Sequence, residues 1–239
     1  MRFHIITLFP EAFASYFGVS ILARAIRDEK ISVSFYNPRD YVRPTAAQAK
    51  KKKPYLRVDD VPYGGGAGMV LQAEPILKAV AAAQKKAGRK TRIILFSAKG
   101  KQFDQRIAYD TAKKYTDVIL IAGRYEGIDE RVAKILKAAE ISIGPYVLTD
   151  GEVPAMAVVS AVARLVPGVI RLESLAEESH WNLLLKKETA GAIGKNGLEH
   201  PHYTRPEVLK WKGKSYRVPK VLLSGNHKNI EDWRMRRNH

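Results

Sequence analysis

Four short stretches of this sequence gather residue types that can do chemistry. In LESLAEESHW, Glu173, Glu177 and Glu178 stand close to His180, and a carboxylate on a loop can act as a general base once a substrate orders it. A solvated acidic loop is the plainer reading of any one of these glutamates. In IAGRYEGIDERV, Ile121 to Val132, two glycines let a ligand approach the backbone while Arg124, Glu126, Asp129, Glu130 and Arg131 supply charge. A capped helix start with surface ion pairs fits the same residues. SIGPYVLTDGEVPAM, Ser142 to Met156, offers main-chain groups around Gly144 and Gly151, an apolar wall from Tyr146 to Leu148, and Pro154. Such a pocket suits an adenine and ribose held largely through the backbone, although a structural turn would use the same glycines. The fourth, DDVPYGGGAGMV from Asp59 to Val70, packs four glycines into five residues and invites comparison with a phosphate cradle.

That comparison fails on spacing. A Walker loop needs a glycine, four residues, then Gly-Lys-Ser/Thr, and GGGAGMV lacks the Lys-Ser/Thr end. The single Gly-Lys-Ser, Gly213 to Ser215, has Val208 where the upstream glycine belongs. A dinucleotide fingerprint would open the helix after the first strand, but that junction reads TLFPEAF, without glycine. His200 and His202 are two apart with no partnering cluster, so no metal site is predicted. No serine nucleophile elbow is present. With no cysteine, disulfides and thiolate chemistry are excluded.

The elements that must position these stretches alternate. Strands are expected over Phe3–Phe9, Ile31–Tyr36, TRIILF and DVILIAG, with two short ones at ISIG and YVL. Helices are expected over Glu11–Arg27, Glu74–Lys86, Asp104–Tyr115, Glu126–Ala139 and Glu152–Leu165. Alternation of this kind predicts an α/β fold with a mostly parallel sheet, and ligands of such sheets gather beyond the carboxyl ends of the strands. From about Leu172 the pattern turns irregular, as in a linker or a mobile loop, and beyond Pro206 the segments read as basic helices.

The charge is lopsided. Forty-one Lys and Arg against 24 Asp and Glu give +17 over 239 residues, and RPTAAQAKKKKPYLR holds six bases and no acid. A polyanionic partner such as nucleic acid is the expected consequence, against the alternative of a solvated lysine-rich surface. Hydrophobic content of 46% is that of an ordinary globular chain. No apolar run is long enough to span a bilayer and the N-terminus has no signal-peptide pattern, so a cytoplasmic protein without membrane contact is expected.

LFPEAF, NPRDY, VDDVPYGGGAGM, GRYEGIDERV, SIGPYVLTDGEVPA, RLVPGV, HYTRPE and VLLSGNH run in this order along nearly the whole chain. In these motifs the chain resembles the bacterial tRNA (guanine-N1)-methyltransferases, which methylate the guanosine immediately 3′ of the anticodon. The resemblance implies a SPOUT-type α/β domain with a deep trefoil knot over residues 1–171, a flexible linker over 172–201 and a small α-helical tRNA-binding domain over 202–239. It implies a homodimer with the active site at the subunit interface, S-adenosylmethionine as methyl donor, tRNA as substrate, and possible participation of Mg²⁺.

Carried over position by position, the resemblance assigns the donor pocket to Gly123, Tyr125, Glu126, Gly127, Ile143, Gly144, Pro145, Tyr146, Val147, Leu148, Gly151 and Pro154. It assigns Arg164 to the guanine O6, Asp59 and Gly68 to the guanines, and His202 and Arg205 to tRNA. Allowing one gap, Glu178 stands where the family has its catalytic aspartate; without the gap Ser179 does. Asp150 replaces a family glycine beside the donor pocket. A SPOUT enzyme for another RNA position, or an RNA-binding homologue with impaired catalysis, are the competing expectations. If Glu178 is the base, Glu178→Gln lowers the methylation rate strongly and leaves calorimetric donor binding intact; unchanged turnover rejects the assignment.

Overall fold

A computed structural model describes residues 1–44, 50, 56–171 and 201–236. They belong to two compact units, Met1–Ile170 and Arg171–His239. The first is built on a five-stranded parallel sheet of β1 (Arg2–Ile6), β2 (Ser32–Tyr36), β5 (Thr91–Gln102), β6 (Asp117–Ile121) and β7 (Ala139–Ser142), in the order β2-β1-β6-β5-β7. The short β3 (Asp59–Asp60) and β4 (Val70–Leu71) pair antiparallel at the base of the glycine loop.

The sheet is covered on both faces, which is why its strands read as unbroken apolar runs. Every residue of β6 is buried. Val118 and Leu120 enter one cluster, with Phe3, Ile5, Ile94 and Phe96, under α1 (Ala14–Phe17), α2 (Ser20–Arg27), α4 (Gln105–Lys114) and α6 (Glu152–Ala163). Ile119 and Ile121 enter the other, with Ile6 and Leu95, under α3 (Ala73–Lys86) and α5 (Arg131–Leu136). Alternate residues of one strand thus feed opposite cores, as the period-two geometry of a strand requires.

Several boundaries differ from the sequence expectations, each for a local reason. The long first helix is broken into a 3-10 turn (Pro10–Phe13), α1 and α2; a side chain at Gly18 would meet the Ala14 carbonyl at 2.7 Å. The helix expected from Glu126 begins only at Arg131, because the amides of Glu126 and Asp129 are bonded to Met69 and Leu71. YVL is an exposed loop rather than a strand, since the Ser142 hydroxyl bonds the Gly144 backbone and turns the chain out of β7.

The second unit departs most. Instead of helices throughout, it opens with an antiparallel hairpin, β8 (Val208–Trp211) and β9 (Lys214–Arg217), before α7 (Lys220–Leu223) and α8 (His227–Arg236). Lys212 and Gly213 both take positive φ, 47° and 76°. This is the two-residue turn that matches strand twist, so the Lys-Gly pair sets a hairpin where basic composition suggested helix.

At the amino ends of β1 and β6 lies a polar knot of side chains. Asp117, wholly buried, forms an ion pair with Arg2 Nε at 2.7 Å, accepts from Arg2 Nη2 at 3.0 Å, from the Thr116 hydroxyl at 2.8 Å and from the Gly88 amide at 3.2 Å, and meets His4 Nε2 at 3.1 Å. Burial alone would raise this carboxyl, but the bonds from Arg2, Thr116, His4 and Gly88 outweigh it and hold its pKa at about 2. A carboxylate whose folded pKa lies below its unfolded one stabilises the fold above the unfolded value, and that stability fades as pH falls toward the folded one. Asp117→Asn is expected to cost about 3 kcal/mol at neutral pH in urea unfolding. The gap between variant and wild type should narrow as pH is lowered from the ordinary carboxylate range toward 2.

Candidate functional site

At the opposite, carboxyl ends of the strands, loops from β5, β6 and β7 enclose a cleft of about 490 Å³. Its walls are the β5 segment 95–99, the 123–130 loop after β6, residues 140–142 of β7, residues 143 and 146–151 of the loop after it, and the first turn of α6 at Pro154. β5 reaches this height through a register shift against β7, in which Phe96 and Lys101 both pair with Ile141. Gly100 permits the shift, since a Cβ there would sit 2.6 Å from the Glu140–Ile141 backbone. Lys99, at the bulge, binds Glu130 at 2.6 Å and Glu140 at 3.5 Å.

The cleft floor is a backbone-to-backbone contact. The Gly151 amide donates to the Gly123 carbonyl at 2.8 Å, and a Cβ on Gly151 would fall 2.5 Å from the Gly123 nitrogen and 2.7 Å from Ala122 Cα. No side chain fits there. One residue later Glu152 is buried; its Oε1 accepts from Thr7 at 2.6 Å, and its Oε2 lies 2.9 Å from Arg124 Nε, off the axis of a hydrogen bond. Burial pushes the Glu152 carboxyl up, against the opposing pull of Thr7 and Arg124. Arg124 in turn stacks over Phe9, with its guanidinium 4.4 Å from the ring centre.

Asp150 bonds the Glu152 and Val153 amides, both at 3.0 Å, and so caps α6. Burial would raise its pKa, yet the Val153 amide, Thr149, Arg124 and the Glu152 amide together hold it below the ordinary range.

The glycine loop is fastened to this cleft. Glu126 donates its amide to Met69, Leu71 to Gly127, and Asp129 to Leu71, each at 3.0 Å. Gly68, at φ 81°, lets the Glu126 side chain lie across it; a Cβ there would stand 2.6 Å from Glu126 Cγ. Gly64, Gly65 and Gly66 also have positive φ, and a Cβ on any of them would meet nothing closer than 3.9 Å. At the loop's base Asp59 is buried with its Oδ1 lacking a hydrogen-bond partner, Arg57 Nε standing 3.9 Å away.

Residues 1–239 match the family tRNA (Guanine-1)-methyltransferase TrmD. The chain belongs to this family. It is 46% identical over 234 residues to the tRNA (guanine-N(1)-)-methyltransferase of Chloroflexus aggregans, covering 98% of this chain and 81% of that one. To the enzymes of the same name from Clostridioides difficile and Ruminiclostridium cellulolyticum it is 43% and 42% identical over 237 and 236 residues, in each case 98% of this chain and 90% of the relative.

The cleft has a glycine floor and an apolar side formed by Ile143, Tyr146, Val147 and Leu148. Gly123, Tyr125, Glu126, Gly127, Gly151 and Pro154 line it as well. Gly144 and Pro145 stand outside its wall. Gly144 is where the Tyr146 ring folds back, its hydroxyl reaching the Ile143 carbonyl at 3.2 Å, and Pro145 faces solvent.

Arg164 caps the carboxyl end of α6, thirteen residues after Gly151 of the cleft floor, about 20 Å along the axis at 1.5 Å per residue. It does not line the cleft of its own chain. His202 and Arg205 are exposed in the second unit, where Arg205 borders a groove with Tyr203, Pro206 and Leu222. Glu178 lies outside the described residues.

Sequence reasoning missed the β5 wall; the glycine in FSAKGKQ was its one signal, and the expected strand TRIILF stopped short of it at Phe96. It also gave Asp129 and Arg131 to either chemistry or surface pairing, and they pair with each other at 2.6 Å. Gly151→Ala is expected to force Gly123 aside, costing about 1–3 kcal/mol of stability and abolishing or greatly weakening S-adenosylmethionine binding in calorimetry.

Proposed function

We infer that this protein transfers a methyl group from S-adenosylmethionine to N1 of a guanosine in tRNA, the one immediately 3′ of the anticodon. The observation that carries the reading is the full-length family match falling on a chain in which two of the family motifs, GRYEGIDERV and SIGPYVLTDGEVPA, line one cleft. The donor, when bound, supplies an electrophilic methyl group; the remaining work falls to the protein. Guanine N1 holds a proton at neutral pH and is a poor nucleophile until that proton leaves. Glu178 takes it as general base, and Arg164 stabilises the negative charge that spreads to O6 as it departs. Asp59, with its unpartnered buried oxygen, and Gly68 hold the guanine edge from the glycine loop. The trefoil threading of the family belongs to the same reading, as does a cytoplasmic location.

The first unit carries the donor cleft and Arg164, the linker over 172–201 carries the base Glu178, and the segment over 202–239, with His202 and Arg205, grips tRNA. A homodimer completes the site. The length of α6 separates Arg164 from the cleft of its own chain, and a twofold partner supplies a second Arg164 to it. The family's glycine before Gly151 is Asp150 here, but its carboxylate is engaged by the α6 amides and nothing in that arrangement favours a non-catalytic protein.

The test uses labelled donor and unmodified tRNA transcripts. Label should enter the natural transcript and not one whose guanosine 3′ of the anticodon is replaced; persistent labelling of the replaced transcript rejects the target. In the same assay, co-folded Arg164→Ala and Gly151→Ala chains, each inactive alone, should regain about a quarter of the wild-type rate, because random pairing leaves one intact composite site in half of the dimers. No recovery would mean that Arg164 acts within its own chain.

A further inference from the structure

The β8–β9 hairpin carries a face that its own unit leaves uncovered. Cross-strand partners share a face, as do alternate residues along a strand. The register Leu209↔Tyr216 and Trp211↔Lys214 therefore puts Leu209, Trp211, Lys214 and Tyr216 together. Leu209, Trp211 and Tyr216 are 52%, 62% and 54% exposed. A half-exposed tryptophan and tyrosine on one two-stranded ribbon form an apolar patch that a free-standing surface would not keep.

Its surroundings select the partner. From Val208 to Arg217 there are four bases, Lys210, Lys212, Lys214 and Arg217, and no acid. Lys212 sits in the turn itself, its left-handed backbone matched by Gly213 so that the ribbon stays tight to its tip. An apolar protein partner would want the patch rimmed by neutral or mixed charge; a duplex backbone would need the cations and leave the rings unused. Aromatic rings interleaved with cations suit unpaired nucleotides, whose bases stack on the rings while their phosphates meet the lysines. Trp211 and Tyr216 are diagonal neighbours, roughly 7 Å apart at their Cα atoms, close enough for adjacent unpaired bases to engage both.

We propose that this face of the hairpin is a stacking platform for unpaired nucleotides of the RNA substrate, with Trp211 and Tyr216 as the rings and Lys212 and Lys214 as phosphate contacts. The proposal deepens the tRNA reading and rests on it. Binding is measured by fluorescence anisotropy of the full chain against an unmodified tRNA transcript and against a fully paired RNA of equal length. Trp211→Ala should weaken tRNA binding about tenfold or more, leave the salt dependence and donor affinity as in wild type, and barely change duplex binding. Trp211→Phe should restore most of the loss, and Lys214→Ala should lower the salt slope instead. Titrating wild type with tRNA should quench tryptophan emission by an amount that disappears in Trp211→Phe, a readout independent of whether the alanine variant folds.

A loss of less than twofold in the alanine variant, an equal loss on duplex RNA, or quenching undiminished in Trp211→Phe each overturns the platform. Methylation of the same transcript by wild type reports separately on the catalytic reading.

Discussion

The contact on which the site depends is between two stretches of bare backbone, Gly151 against Ala122 and Gly123. It sets the height at which α6 begins relative to the end of β6, and both cleft walls follow from that. With Gly151 seated, Glu152 enters the core beneath the cleft and ties Thr7 of the β1 end to Arg124 of the β6 loop. Asp150 then closes the first turn of α6. Three consecutive residues thus lock a strand end, a loop and a helix start into one body. The buried carboxylate is held by a neutral hydroxyl and a cation stacked on Phe9. Losing either partner would leave a charge in the interior, so this polar link enforces geometry more than it adds net stability.

The sheet's two ends carry different kinds of polarity. At the amino ends, Asp117 spends all its bonding capacity on Arg2, His4, Thr116 and Gly88, and nothing is left for a ligand. At the carboxyl ends, main-chain groups of three loops face a cleft, and Asp59 keeps an oxygen without a partner. Perturbed carboxylates occur at both ends, so perturbation alone does not mark the site. Hydrogen-bonding groups left unspent distinguish the carboxyl ends.

Much of the first unit was legible because its sheet is covered on both faces: unbroken apolar strands alternating with amphipathic helices leave few other arrangements. The motif stretches 123–127 and 146–154 could be placed at strand ends by the same logic. What stayed hidden was contact between segments distant in sequence. Nothing in GRYEGIDERV says that its amides belong to Met69 and Leu71, so a helix was expected too early. The β5 bulge was invisible because a register shift is a property of two strands. The hairpin of the second unit was missed because VLKWKGKSYR is short and basic; its Lys-Gly turn was the signal, and charge obscured it. The proposed base, Glu178, was singled out from its neighbouring glutamates only by the family resemblance.

The glycine loop shows how far a sequence argument carries and where geometry alters it. Its failure as a phosphate cradle followed from spacing, and close approach was the remaining reason for so many glycines. The structure divides that reason in two. Gly68 is a glycine because another part of the protein approaches it: the Glu126 side chain crosses its α-carbon, and the neighbouring amides stitch the loop to the donor-side wall. Gly64, Gly65 and Gly66 face open space, and their positive φ angles bend a strap that nothing else crowds. A substitution at Gly68 therefore disturbs the donor wall as much as the loop, whereas one at Gly65 strains the strap alone. Glycine loop and cleft wall are one mechanical unit; under the proposed function, that unit would register a guanine edge at the loop against a methyl group in the cleft without a moving part between them.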